Sequence, residues 1–134
     1  MKIMFVSAAN STHTVRWVNA LAERGHEVYL VSNRGHEPKE DALNSRKLYL
    51  MKHSGGKGYY LNAGELRKIA KRINPDVINV HYASGYGTLA RKARLPKYIL
   101  SVWGSDVYDF PYESRVKNHI LKRNVRSASY LAST

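Results

Sequence analysis

Apolar positions in this chain fall into blocks of two kinds, short continuous runs and stretches in which they return every three or four residues. Lys2–Val6 reads Lys-Ile-Met-Phe-Val and gives way to Ser7-Ala8-Ala9-Asn10-Ser11. A run of this length ending in a polar turn predicts a strand buried on both faces. From Thr12 to Arg24 the apolar residues Val15, Val18, Leu21 and Ala22 recur at helical spacing, with Gly25 behind them. This predicts an amphipathic helix, capped by Ser11 or Thr12 and stopped at the glycine. Glu27–Val31 predicts a second strand, and Arg46–Met51 a third after a polar, charged connection. Residues 54–61 are glycine-rich and predict a mobile loop.

Asn62-Ala63-Gly64-Glu65 has the form of a capping box, and Leu66, Ile69, Ala70 and Ile73 follow at i, i+3, i+4 and i+7 before Asn74-Pro75 ends the helix. Asp76–His81 predicts a strand, then comes a glycine-containing loop and a short helix to about Ala93, then a strand over Lys97–Val102. A helix over Glu113–Arg126 and an extended stretch over Ser129–Ala132 complete the series. Strands alternating with helices imply right-handed crossovers. The expected fold class is therefore α/β, a Rossmann-like doubly wound parallel sheet in three α/β/α layers with strand order 3-2-1-4-5. Such sheets bind ligands beyond the carboxyl ends of the strands, where successive connections leave for opposite faces. That directs attention to three loops: Ser7–Ser11, His81–Gly87 and Trp103–Asp106.

At 134 residues with 43% apolar content and no internal repeat or linker, residues 1–134 read as one domain with a real core. No apolar run approaches the roughly 20 residues of a bilayer span, and no secretory leader is evident, so the expected compartment is the cytoplasm. The absence of Cys removes thiol nucleophiles and thiolate metal sites. Twenty-two Lys and Arg against 10 Asp and Glu leave a net charge of +12, which predicts an anionic partner: nucleic acid, an acidic lipid surface or a phosphorylated small molecule. The excess is spread along the chain, 13 basic against 7 acidic residues up to Ser84 and 9 against 3 beyond it, so no tail carries it.

The candidate chemistry narrows this choice. The first loop lacks glycine and no acidic residue closes the second strand, where Val31-Ser32-Asn33 stands, so a dinucleotide cradle is disfavoured. No phosphate-loop signature is present. Ser11 and Thr12 at a helix start leave N–H groups that suit an anion or a sugar hydroxyl, or serve as caps alone. His13 and Arg16 lie one turn apart near the expected cleft and either could hold a phosphate, or simply face solvent. His81 could hydrogen-bond a substrate or act as a base, or be a structural histidine at a strand end; the loop it opens carries Tyr82 and Tyr86 as flat apolar faces. Trp103-Gly104-Ser105-Asp106 sets an aromatic ring, a hinge, a hydroxyl and a carboxylate together, with Asp106 either at the substrate or capping a turn. Six His without an H-x-x-x-H pair or an accompanying carboxylate cluster predict no metal. On the Glu113–Arg126 helix, Arg115, His119, Lys122 and Arg126 share one face with Arg123 beside it, a stripe that could rest on acidic headgroups or face solvent. No RNA- or DNA-binding signature accompanies the basic charge, so a nucleic-acid-binding module is the weaker alternative.

Lys2-Ile-Met-Phe-Val-Ser7, His13-Thr-Val-Arg-Trp17, Gly25-His-Glu-Val28, Pro75-Asp-Val-Ile78, His81 and Trp103-Gly-Ser-Asp106, in this order and spacing, resemble the amino-terminal half of a family 4 glycosyltransferase with the GT-B fold, over essentially the whole chain. The resemblance implies a retaining, hexosyltransferase-type enzyme in which this domain binds the acceptor. A carboxyl-terminal domain, absent from this chain, would bind the nucleotide-sugar donor through a pair of glutamates, and transfer would be metal-free in the cleft between the two. The expected acceptor is a saccharide or polyprenyl-pyrophosphate-linked sugar of cell-surface polysaccharide assembly, such as exopolysaccharide or capsule, met at the inner face of the plasma membrane. No cofactor is expected, and the fragment alone is expected to be inactive. Ser7, Asn10, Ser11, His13, Arg16, Tyr82, Trp103 and Ser105 are the implied acceptor-side residues, with His81 and Asp106 the candidates for a catalytic role. Many relatives carry a histidine where this chain has Trp103, which is therefore read as shaping the pocket.

Overall fold

The computed structural model describes residues 1–39, 42–43 and 47–133. Six strands, β1 (Lys2–Val6), β2 (Glu27–Arg34), β3 (Leu48–Ser54), β4 (Val77–His81), β5 (Ile99–Val102) and β6 (Tyr130–Ser133), form one sheet. All pairings are parallel, in the order β3-β2-β1-β4-β5-β6. The expected 3-2-1-4-5 order is present, with the final extended stretch added as an outer strand. Arg46, the expected start of the third strand, lies outside the described residues, and β3 runs on to Ser54 instead of ending at Met51.

Helix α1 (Thr12–Glu23) covers one face of the sheet. There Val18 packs with Ile3, Phe5, Val28 and Leu30. The opposite face carries α2 (Gly55–Leu61), α3 (Ala63–Ile73), α4 (Gly85–Lys92) and α7 (Arg115–Ser127). Leu66, Ile69, Ile73, Leu89 and Leu121 from these helices meet Met4, Val6, Val31, Ile78, Val80 and Leu100 from the strands. Successive strand side chains point to opposite faces, so the continuous run Ile3-Met4-Phe5-Val6 fills both cores, alternating between them.

Three segments depart from expectation. Residues 55–61 form a helix, α2, where a mobile loop was expected. The glycines permit close packing here. A Cβ on Gly58 would lie 2.6 Å from the His53 carbonyl oxygen, and one on Gly85 would lie 2.6 Å from the Tyr59 ring, so α2 seats directly against β3 and α4. The Asn62–Glu65 capping box does not form either. Asn62 is fully buried and its amide donates to Asn33 Oδ1 and the His53 carbonyl, both at 2.8 Å, while Glu65 accepts from the Lys52 N–H at 2.8 Å. Both side chains tie the helices to the sheet instead of capping. Finally, α5 (Ser105–Tyr108) and α6 (Phe110–Glu113) are single turns that the sequence pattern does not announce. Because Ser114 accepts from the Lys117 N–H at 3.0 Å as the cap of α7, the last helix begins at Arg115 and not at Glu113.

Candidate functional site: an aromatic hub at the carboxyl ends of the strands

The connections that leave β1, β4 and β5 converge on Trp103. Its ring lies 5.5 Å from that of His13, 5.5 Å from Tyr82 and 5.8 Å from His81, centroid to centroid. The indole N–H donates to His81 Nδ1 at 3.1 Å. Asp106 holds this arrangement in place. Its carboxylate is completely buried and accepts from the N–H groups of Ala83 at 2.7 Å, Trp103 at 3.0 Å and Gly104 at 2.8 Å. One side chain thus laces the loop after β4 to the loop after β5. The turn requires Gly104, whose φ of +130° is closed to other residues. Tyr82 also takes a left-handed backbone, φ 78°, at a cost of about 1 kcal/mol for a residue with a Cβ. Its N–H donates to the Ser101 carbonyl at 2.9 Å, and its hydroxyl lies 3.2 Å from Ser105 Oγ.

Trp103 borders two chambers. On the α1 side a cavity of about 180 Å³ is lined by His13, Trp17, Asn79, His81, Ser101 and Trp103, with Ala132 and Ser133 of β6 at its rim. Ser101 Oγ donates to Asn79 Oδ1 at 3.0 Å. Because His81 Nδ1 accepts the indole proton, the neutral ring carries its own proton on Nε2, which is buried and has no partner among the described residues. Burial, and secondarily the nearby His13 charge, push the His81 pKa down to about 4, so the ring is uncharged at neutral pH.

The second chamber, about 190 Å³, is aromatic and lined by Ala8, His36, Tyr59, Tyr82, Tyr86 and Trp103. The Tyr86 hydroxyl accepts from the Asn33 N–H at 3.1 Å and lies 2.6 Å from His36 Nδ1. Tyr59 stands edge-on to Tyr86, centroids 5.3 Å apart, over the bare backbone of Gly85. Burial lowers the His36 pKa and raises those of Tyr59 and Tyr86. All three are therefore neutral hydrogen-bonding groups near pH 7. Tyr59 and Tyr82 also line a larger, mostly apolar groove of about 420 Å³ that reaches Tyr60, Phe110, Val116, Lys117 and Ile120. No carboxylate lines either chamber.

Of the residues expected at the site, His13, Tyr82, His81 and Trp103 are brought together, with Ser105 beside Tyr82. Asn10 and Arg16 are exposed and Ser11 is half-buried at the start of α1, where its side chain makes no capping bond. Ser7 and Asp106, expected to touch a ligand, are fully buried, with their side chains hydrogen-bonded to protein groups. Ser7 is fully buried with its hydroxyl 2.6 Å from that of Thr14, fastening the end of β1 to α1. Both residues position the site by hydrogen bonding to protein groups. Arg115, His119, Lys122, Arg123 and Arg126 are all exposed on α7. His36, Tyr59, Asn79, Ser101 and Trp17 were not anticipated. Of these His36 alone had a local signal, the Arg34-Gly35 turn that follows β2. The others depend on which strands and helices become neighbours.

Among the described residues no group of three or more His, Asp or Glu is placed to hold a metal, and no helix is long and apolar enough to cross a membrane. No curated protein matches the chain in sequence. Solved structures do match it in fold. The crystal structure of the Bordetella bronchiseptica enzyme WbmG, in complex with NAD and UDP, superposes with a TM-score of 0.59 at 13% identity, covering 99% of this chain and 52% of that one. The oxidoreductase ylbE from Lactococcus lactis gives a TM-score of 0.41 at 10% identity over 92% of this chain and 58% of its own. The chain thus spans about half the length of the WbmG chain, and the likeness is one of Rossmann-like fold. The sequence model of the glycosyl transferase 4-like family matches residues 2–134, and the chain belongs to that family of glycosyltransferase domains.

Proposed function

We propose that this domain binds the acceptor of a retaining hexosyltransferase that builds a cell-surface polysaccharide, such as an exopolysaccharide or capsule, on a lipid-linked intermediate. The observation that carries the reading is the aromatic chamber joined through Tyr59 and Tyr82 to an apolar groove. Sugar rings present C–H faces that lie well on Tyr and Trp, and their hydroxyls suit neutral donors and acceptors such as His36 and Ser105. The groove offers apolar surface to a polyprenyl chain, and the exposed cations of α7 suit its pyrophosphate or acidic headgroups, worth about 1 kcal/mol per charge near a membrane surface. The protein then works at the cytoplasmic face of the plasma membrane. The nucleotide sugar is held by a second domain, and this chain alone does not transfer sugar. No cofactor takes part.

Calorimetric titration of the chain with a polyprenyl-pyrophosphate-linked sugar in nanodiscs, a UDP-sugar and a single-stranded RNA tests the reading. Saturable binding of the lipid-linked sugar is expected, weakened about tenfold by Trp103→Ala, the loss of one well-packed aromatic contact. Saturable binding of RNA alone, with a steep salt dependence, would overturn it.

A further inference from the structure

At the other end of the sheet, below the amino end of β4, lies a cavity of about 460 Å³ that has no part in the site above. Its floor is apolar, made by the buried residues Ala70, Ile78 and Leu95, and three cations, Arg67, Lys71 and Arg94, stand around it with no acidic residue in its lining. None of the three has a carboxylate partner: the ion pairs among the described residues are Lys47 with Glu27 and Lys117 with Glu113.

Neutralising helix ends does not account for all three cations. Arg67 does bond the end of α4, Nε donating to the Ala93 carbonyl at 2.9 Å and Nη2 to that of Lys92 at 3.5 Å. These bonds anchor the guanidinium and leave N–H groups on its outer edge. The side chains of Lys71 and Arg94 make no hydrogen bond to a described residue. Arg94 moreover occupies the left-handed position after α4, φ 53°, where glycine is the usual and less strained choice.

We propose that this cavity is a binding site for a soluble phosphate monoester with an apolar or planar body. The phosphate lies against the fork of Arg67, with Lys71 and Arg94 closing on its charge, and the body rests on Ala70, Ile78 and Leu95. Arginine presents paired N–H donors at the spacing of phosphate oxygens, and a cavity of this size matches ordinary small-molecule sites.

The test is titration of the isotopically labelled chain with 1-naphthyl phosphate, followed by amide NMR shifts, beside 1-naphthol and inorganic phosphate. Saturable shifts confined to the amides around Arg67, Lys71, Ile78 and Arg94 are expected, with both controls at least tenfold weaker. Arg94→Gly should weaken binding about tenfold, as expected for one charge-assisted contact, while leaving thermal stability equal or higher because glycine relieves the left-handed strain. Lys71→Gln provides an independent loss of similar size. Equal affinity for either control, shifts spread over the basic surface without saturation, or unchanged binding by both variants would each overturn the proposal.

Discussion

Asp106 and His81 show how far a side chain's chemistry depends on what surrounds it. Asp106 has its carboxylate filled by three backbone N–H groups, so its role is to position Trp103. Asp106→Asn puts an amide donor where one oxygen now accepts, facing a backbone donor. It should cost about 2–3 kcal/mol, the scale of a buried charge-assisted hydrogen bond, and lower the melting temperature by about 10 °C in a circular-dichroism melt. A variant that melts with the parent would overturn this positioning role. His81 is held neutral by burial, its folded pKa about 4 against an ordinary 6.5. A histidine whose folded pKa is depressed contributes stability that is complete above the unfolded value and lost as the pH falls through the folded one. Between about pH 6.5 and 4 the unfolded chain takes up a proton the folded chain refuses, at a cost of about 2–3 kcal/mol by pH 4.5. Urea denaturation at pH 7 and pH 4.5 should show His81→Gln losing less stability on acidification than the parent by that amount. A residual slope remains from His36, whose pKa burial also lowers.

Helix α2 was the element least legible in the sequence. Its glycines look like a flexible linker because, taken alone, glycine disfavours a helix by about 1 kcal/mol per residue. Tertiary contact reverses the preference: Gly58 sits where a methyl would meet the His53 carbonyl oxygen at 2.6 Å, and Asn62 bridges α2 to β3 and to Asn33 of β2. Gly58→Ala, which should stabilise an isolated helix, is therefore expected to destabilise the protein by about 2 kcal/mol through overpacking, as read from chemical denaturation. Helix α3, in contrast, is announced by its own periodicity, since Leu66, Ile69, Ala70 and Ile73 all reach the core. Its left-handed terminator Asn74, φ 49°, lies directly before Pro75, as the sequence indicates.

At the scale of the molecule, a net charge of +12 meets only two ion pairs among the described residues, both at the surface. Self-repulsion of like charges lowers the stability of the compact state, and salt screens it. Raising sodium chloride from about 0.05 to 0.5 M is therefore expected to raise the melting temperature by a few degrees. A fall would mean that surface attractions outweigh the repulsion. The same charge falls in two places on the surface: the exposed stripe on α7, and the Arg67, Lys71 and Arg94 cluster at the amino ends of the strands.

The sequence by itself determined the alternation of buried runs and amphipathic helices, hence the parallel sheet and its central strand order. Those features follow from local periodicity and from the handedness of crossovers, which neighbouring residues express directly. Only the tertiary structure decided that Asp106 and Ser7 are buried, that His81 is locked by the indole of Trp103, and that Tyr59 and His36 complete the aromatic chamber. Apart from the Ser7 hydroxyl, which meets Thr14 seven positions on, each of these depends on a contact between residues more than twenty positions apart or on a close backbone approach. Burial and hydrogen-bond partnership are properties of such pairs and leave no period in the chain.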